Sequence, residues 1–524
     1  MRILLYNWAP EGAGIKDGGG VSLYLDNLIE GLLDAGCEVS VLSSGYRYSP
    51  FTAKPHLVRR RSGRANLTYV DVVNSPVMAP SYFMFGQAHT TVEQPALTAL
   101  FRRHLQREGP FDIVHLHNLE GISADVLALA DEFPQTRFLL TNHNYNLVCQ
   151  QANLWHRDRE RCTTYAEGAR CHVCNVFAPD LDALMVGRYL HFHPLNRAPQ
   201  RVRGLVHRAA FAAVRARRAA SRPAAWDLPV ERRWKGERIG PADTFRLRRR
   251  ATLDVVNRHC ARVLSVSAAT ERVLLSYGLD PQISGVSYIG TRHYDPARGR
   301  PIRTKTPHLR LAFLGYTRPD KGFQFMVKAM QAMPERMRGR LALKVAARIS
   351  DPGAVAELER LRGRLAGLTI QNGYTQAELP QLLEDVDLGL VLPLWDDALP
   401  QVAIEFVCHG VPILVSDRGG QQELAADPAF VFDAENVGAF WERLQRLCDD
   451  REELERFWTL ARPLNTNRQH AQAMLELYRE VLAEPPRASG RPSQTATALP
   501  GLSGDLSSGV AARVATSSTK AASM

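Results

Sequence analysis

The sequence predicts an α/β protein built from two doubly wound, Rossmann-like domains that face a central cleft. Short apolar runs alternate with amphipathic, helix-like stretches, the pattern of parallel strands joined by crossover helices. The chain opens as strand, Gly-rich loop, helix, strand, and after a Pro/Arg/Thr-rich link at residues 295–308 the second half repeats the theme.

The first strand is read at residues 2–6, followed by a loop carrying Gly12, Gly14 and Gly18-Gly19-Gly20, a helix over 21–33 ended by Ala35-Gly36, and a strand at 38–42. Apolar strands are expected at 111–116, 137–141 and 263–267. Residues 149–250 break the rhythm and read as an insertion with four Cys and then basic, Ala-rich sequence. In the second half, strands are read at 309–314, 341–346, 368–371, 386–392 and 411–416, with a helix from Phe323. Val386 to Leu392 is too apolar to be half-exposed, so it belongs in mid-sheet. Thr375 and Glu378 form a capping-box pattern. A last helix spans about 467–482. The implied division is a first domain at 1–300, a second at 301–465, a helix at 466–483 packing back towards the first, and a tail at 484–524. The tail is rich in Ser, Ala, Pro, Gly and Thr, and it holds too little apolar surface to offset the entropy of ordering.

With 524 residues, 45% hydrophobic and 23% charged, the chain has the composition of a globular protein of two or three domains. The net charge of +11 is concentrated in residues 188–250, which hold sixteen Arg and one Lys against four acids. No run approaches the roughly 18 apolar residues of a membrane span, and Met1 to Tyr6 reads as a strand without a cleavage site. A cytoplasmic location with reduced cysteines is expected. Charge alone admits a nucleic-acid binder, but aromatic stacking motifs and a recognisable module are missing, so no nucleic-acid partner is expected.

In open α/β sheets, ligands sit beyond the carboxyl ends of the strands. The strand ending at Leu392 exits through Pro393-Leu394-Trp395-Asp396-Asp397-Ala398-Leu399 into a helix opened by Pro400 and stopped by Gly410. Gln401, Glu405 and His409 form its single polar stripe. A Glu in so apolar a helix needs a partner. With Asp397 it gives two carboxylates suited to accept from hydroxyls. The next loop supplies Gly419-Gly420 before a helix start, a geometry that favours an anion. The loop after Leu314 supplies Arg318 and Lys321. Hydroxyls at one end and phosphates in the middle describe a nucleoside diphosphate sugar.

Residues 395–423 resemble the retaining GT-B glycosyltransferases of family 4 (glycosyl transferases group 1). So do 315–322 with their Lys321-Gly322 ending, Gly18 to Gly20, Val114-His115-Leu116-His117-Asn118, Thr141-Asn142-His143-Asn144 and Val266-Ser267. The family's acid, seven residues, then Glu reads here Asp397 to Glu405. The resemblance implies the GT-B architecture, an acceptor-side first domain and a donor-binding second domain. It places Glu405 on the donor ribose, Asp397 and His143 at the transferred sugar, and Lys321 on the diphosphate. Gly419 and Gly420 face the diphosphate too, and Gly19 and Gly20 close from the other domain. Arg318, Leu399 and Glu423 join the donor-side set. The family has Glu at the position of Asp397 and Arg at that of Tyr316. It retains anomeric configuration by front-face attack, the leaving phosphate helping to deprotonate the acceptor, so no protein nucleophile and no catalytic cofactor or metal is implied. The acceptor is a glycan or lipid-linked sugar, the setting cell-envelope or exopolysaccharide assembly. A catalytically inactive GT-B scaffold is the alternative.

Asp385 and Asp387 match an Asp-x-Asp metal motif but lie at a strand start, the wrong end for the cleft. Cys149, Cys162, Cys171 and Cys174 form a candidate structural zinc site, with packed free thiols as the alternative. Within the basic segment, Leu205, Val206, Ala209, Phe211 and Val214 fit one helix face, a candidate contact with the anionic inner face of the plasma membrane.

Overall fold

The apolar runs become two largely parallel sheets in the computed structural model. The structure describes residues 1–10, 14–49, 52, 54–174, 181–193, 199–220, 233–296 and 306–485, with the side chains of 14–18, 61, 181–182, 211 and 213–220 excepted. Most of the 295–308 link, the tail from 486, and the side chains of Phe211 and Val214 therefore lie outside the described residues.

The first sheet holds β1 (Arg2–Tyr6), β2 (Glu38–Arg47), β3 (His56–Arg61), β4 (Leu67–Val73), β5 (Ile113–Leu116), β6 (Arg137–Asn142), β7 (Arg262–Ser265) and β8 (Ser284–Val286). Their order is β8-β7-β6-β5-β1-β2-β4-β3, and β3 alone pairs antiparallel. Central strands are apolar on both faces because helices cover both; Ile3, Leu4 and Leu5 are all buried. The β3–β4 hairpin is not predicted from sequence. Its outer strand is charged, as edge strands often are, and its inner strand carries Asp71, held by Ser43, Arg47 and Arg60.

The second sheet holds β9 (Leu309–Tyr316), β10 (Leu341–Arg348), β11 (Gly367–Asn372), β12 (Leu388–Val391), β13 (Ile413–Ser416) and β14 (Val431–Phe432). All pair in parallel, in the order β11-β10-β9-β12-β13-β14. This is the Rossmann order, with the reversal between β9 and β12. The apolar strand β12 sits in mid-sheet, flanked by β9 and β13.

Several elements differ from expectation. Helix α1 spans Gly14–Asp34, with a break at Gly19 (φ 61°) inside what the sequence presents as a loop. Helix α2 covers Gln200–Ala220. Helix α3 (Pro241–His259) begins inside the expected insertion, yet it buries Leu253 and Val256 in the first domain's core. Proline opens the helix and its buried residues run from Thr244 to Val256, so the basic composition at 246–250 hides a core helix. The Thr375 pattern forms by half. Glu378 reaches back to the Thr375 N–H and hydroxyl at 2.6 and 2.7 Å, but the helix starts later, at Leu379.

Helix α4 (Ala268–Ser276) follows β7, α5 (Phe323–Gln331) follows β9, α6 (Gln401–Cys408) follows β12 and α7 (Gln421–Ala425) follows β13. The last helix, α8 (Asn467–Ala483), opens on a Thr466–Gln469 capping box. It crosses to the first domain, where Tyr478 meets His115 at 2.7 Å and a Cβ on Gly31 would sit 2.4 Å from that of Ala471.

Candidate active site

The strand order reverses between β9 and β12, and the loops leaving these two strands are forced together. Gly322 has φ 78°, and a Cβ there would lie 1.8 Å from the Leu392 carbonyl oxygen. The Leu394 N–H donates to the Asp320 carbonyl at 2.9 Å. This contact carries Lys321 to the mouth of α6. Its Nζ lies 2.6 Å from Asp397 Oδ2 and 4.8 Å from the centre of the Trp395 ring. The Asp397 side chain is 9% exposed and that of Lys321 is 31% exposed. Asp397 and Lys321 therefore form one ion pair at the switch point.

Glu405 lies in the apolar helix α6, 7% exposed. The Tyr374 hydroxyl donates to its Oε2 at 2.5 Å and the Gln376 amide to its Oε1 at 2.6 Å. Both donors come from the loop leaving β11. Burial holds the Glu405 carboxyl above its ordinary range, partly opposed by these two hydrogen bonds, and burial beside Glu405 pushes the Tyr374 phenol up. The sequence pattern reaches Thr375 and Glu378 but not Tyr374 or Gln376; the signal for them is a Gly-Tyr pair at a strand exit. Gly410 adopts φ 67°, as a left-handed helix stop requires.

Gly419 and Gly420 are needed for chain approach. At Gly419 (φ 68°) a Cβ would sit 2.0 Å from the Asp397 carbonyl oxygen; at Gly420 it would meet Ala398 O at 2.2 Å and Ser267 Cβ at 2.7 Å. The Gly420 N–H donates to Asp397 O at 2.8 Å, which removes it from the expected set of free donors to an anion. Leu399 is buried in the same loop.

Glu423 and Arg318 are engaged elsewhere. Glu423 accepts from the Ala268 and Ala269 N–H groups at the start of α4, at 2.9 and 2.7 Å, and from the Tyr288 hydroxyl. It is a strut between the two domains, assisted by Ser267 Oγ donating to Ala398 O at 2.5 Å. Arg318 forms a bidentate pair with Asp320 at 2.9 and 3.1 Å, so it is not poised as a replacement for the arginine that Tyr316 lacks. Asp387 is bound by Arg310 and Arg451 and Asp385 by Lys344, at the amino end of β12.

The first domain faces this loop cluster with its own strand exits. A Cβ on Gly20 would come 2.9 Å from Gln401 Cγ, at the first turn of α6. His143 follows β6, with His117 Nδ1 at 3.3 Å and the Tyr24 ring centre at 4.6 Å. Behind it, Tyr24 meets His470 at 2.9 Å and His115 joins Thr141 to Tyr478. Burial lowers His143 and His115 to about 3 and His470 to about 4. The imidazoles are neutral near pH 7. Nε2 of His117 and Nε1 of Trp395 are buried without a hydrogen-bond partner among the described residues. Arg161, from the Cys-containing segment, donates to Asp396 Oδ2 at 2.7 Å, a contact across the cleft that no sequence pattern signals.

Two Rossmann-like domains with strand exits meeting in a cleft define the GT-B class. Residues 18–176 match the model described as Glycosyltransferase Family 4, and residues 308–450 that described as Glycosyl transferases group 1. The chain belongs to this GT-B glycosyltransferase family. Similar solved structures include sucrose-phosphate synthase from Thermosynechococcus elongatus (15% identity, TM-score 0.50, 92% of this chain and 99% of that one). A UDP-forming α,α-trehalose-phosphate synthase from Burkholderia vietnamiensis shares 13% identity at TM-score 0.51, over 92% and 97%. The catalytic domain of Arabidopsis thaliana starch synthase IV, bound to ADP and acarbose, shares 13% at TM-score 0.50, over 92% and 99%. These likenesses show the fold. No curated protein sequence matches the chain.

Proposed function

We propose that the chain transfers a sugar from a nucleoside diphosphate sugar to a glycan or lipid-linked acceptor, with retention of anomeric configuration. The observation that carries this reading is the Lys321–Asp397 ion pair at the strand-order reversal, with Glu405 about one turn into helix α6, which begins just after Asp397. Cation, sugar-binding acid and ribose-binding acid are then spaced along one ligand. Glu405 accepts from the ribose hydroxyls. A carboxylate offers about four lone-pair sites, and Tyr374 and Gln376 occupy one on each oxygen, so two remain. Asp397 Oδ1 accepts from the transferred sugar while Oδ2 holds Lys321 in place. Departure of the diphosphate puts negative charge on the β-phosphate, and the Lys321 ammonium stabilises it in a site screened by Trp395. Gly19, Gly20 and the Gly419 N–H line the phosphates. Neutral His143 hydrogen-bonds a sugar hydroxyl. Leu399 shapes the pocket. The leaving phosphate takes the acceptor proton, so the reaction proceeds without a protein nucleophile or catalytic metal.

The work is done on the cytoplasmic side of a cell-envelope or exopolysaccharide pathway. No described helix is long and apolar enough to cross a membrane. Helix α2 presents Val202 and Leu205, 44% and 61% exposed, among exposed arginines at 201, 203 and 208, which supports peripheral contact with an anionic bilayer. Charge reversal at Arg201, Arg203 and Arg208 is expected to abolish binding to anionic liposomes; unchanged binding removes this part. Thermal-shift screening against UDP- and GDP-sugars is expected to reveal one stabilising donor, and NMR of the product should show the donor's anomeric configuration. An inverted product contradicts the mechanism. Stabilisation without turnover favours the inactive scaffold.

A further inference from the structure

Two buried guanidinium groups in the first domain have no carboxylate partner among the described residues. Arg248 and Arg249, on α3, are each 5% exposed. They donate to the carbonyls of Leu147 and Val148 at 3.2 and 2.6 Å, and Arg249 stacks 3.5 Å from the Tyr165 ring centre. Nε of Arg248 and Nη1 of Arg249 are buried with no hydrogen-bond partner among the described residues. Neither arginine forms an ion pair among the described residues; Glu120 acts on Arg248 at longer range. Burying two cations this way is costly unless negative charge stands beside them.

What stands beside them is sulfur. Cys149, Cys162, Cys171 and Cys174 line one cavity together with Arg248 and Arg249, and that cavity is about 20 Å³, room for one water-sized sphere. All four thiols are free. They arrive from three places: the turn after β6, the residue following the Trp155–Arg161 hairpin, and the Cys-x-x-Cys turn at 171–174.

We propose that these four cysteines bind one zinc ion as a tetrathiolate. Ligation releases the four thiol protons to solvent and leaves a centre of net charge −2, matching the two guanidinium groups. Four sulfur ligands in a closed site select zinc by softness and tetrahedral geometry. No set of three His, Cys, Asp or Glu among the described residues already converges on metal-ligand geometry, so binding requires the four sulfurs to move inward into the cavity they line. The ion ties down the hairpin whose Arg161, adjacent to Cys162, reaches Asp396 beside the donor-site Asp397. It is thereby a structural anchor for the strap that joins the two walls of the cleft.

Elemental analysis of the full chain, purified without a polyhistidine tag or chelators, is expected to give about one zinc per chain, with X-ray absorption fitted by four sulfurs at about 2.3 Å. A mercurial thiol reagent should release it. Cys171→Ser and Cys174→Ser should each lose most of the zinc. Should the variants fail to fold, the wild-type stoichiometry and a thiolate-to-cobalt absorption band on cobalt(II) substitution still decide. Wild-type protein from zinc-replete cells with less than about a tenth of an ion per chain overturns the proposal. So does a disulfide among the four found by mass spectrometry, or iron in place of zinc.

Discussion

Glu405 is the residue on which donor affinity should depend most, because its buried carboxylate is already oriented by Tyr374 and Gln376 before a ligand arrives. Each hydrogen bond to a charged group is worth about 1.5–3 kcal/mol. Glu405→Ala is therefore expected to weaken donor binding by roughly 10- to 150-fold for each ribose hydrogen bond removed, measured by calorimetry. Tyr374→Phe, which takes away one orienting bond, should show a smaller effect of the same kind. On the proposed mechanism Lys321 acts in the transition state instead. Lys321→Ala should lower kcat by about 100- to 1,000-fold with a smaller change in KM; an effect confined to KM would place the ammonium on the ground-state substrate. Asp397 is legible by position in the sequence, but its pairing with Lys321 is not. The two residues are 76 apart in sequence and meet because of Gly322, whose missing Cβ lets two strand exits touch.

At the level of elements, the glycines separate two roles that look alike in sequence. Gly419 has a left-handed backbone and faces fixed main-chain atoms of Asp397, whereas Gly20 faces the flexible side chain of Gln401. Gly419→Ala should cost about 1–3 kcal/mol of stability by thermal or denaturant unfolding and displace the Asp397 loop. Gly20→Ala should leave stability nearly unchanged and act on kcat, through closure of the cleft. Equal destabilisation by both would refute this distinction. The strands and the α6 helix are readable because apolar periodicity and Pro/Gly punctuation act locally. Helix α3 and the β3–β4 hairpin are not, since Arg248, Arg249 and Asp71 are polar residues buried by partners distant in sequence. Glu423 reads as a ligand-site acid for the same reason: a Gly-Gly-x-x-Glu pattern cannot show that α4 lies opposite to receive it.

Over the whole molecule, α8 is locked to the first domain through a buried set of neutral imidazoles, and this gives folding a definite pH dependence. His143 and His115 titrate near 3 and His470 near 4 when folded, against about 6.5 for free imidazole. Below about pH 6.5 the unfolded chain binds protons that the native state does not, so stability falls as pH falls. The loss approaches about 1.4 kcal/mol per pH unit per histidine, partly offset by Glu405 and Glu120, whose raised pKa values act with the opposite sign. Unfolding free energy should therefore drop between pH 6.5 and 4.5, and His470→Gln should reduce the slope. A flat profile would show that these imidazoles are protonated in the native state. The two domains also touch through Glu423, Ser267 and Arg161, which brace the cleft. On the proposed function, catalysis in this cleft is turnover of a nucleotide sugar. The decisive measurement is release of nucleoside diphosphate from a panel of UDP- and GDP-sugars, compared between the wild type and a folded Glu405→Ala variant. The wild type should turn over one donor and the variant should be nearly inactive, whereas equal rates in the two proteins would rule out the assigned donor site.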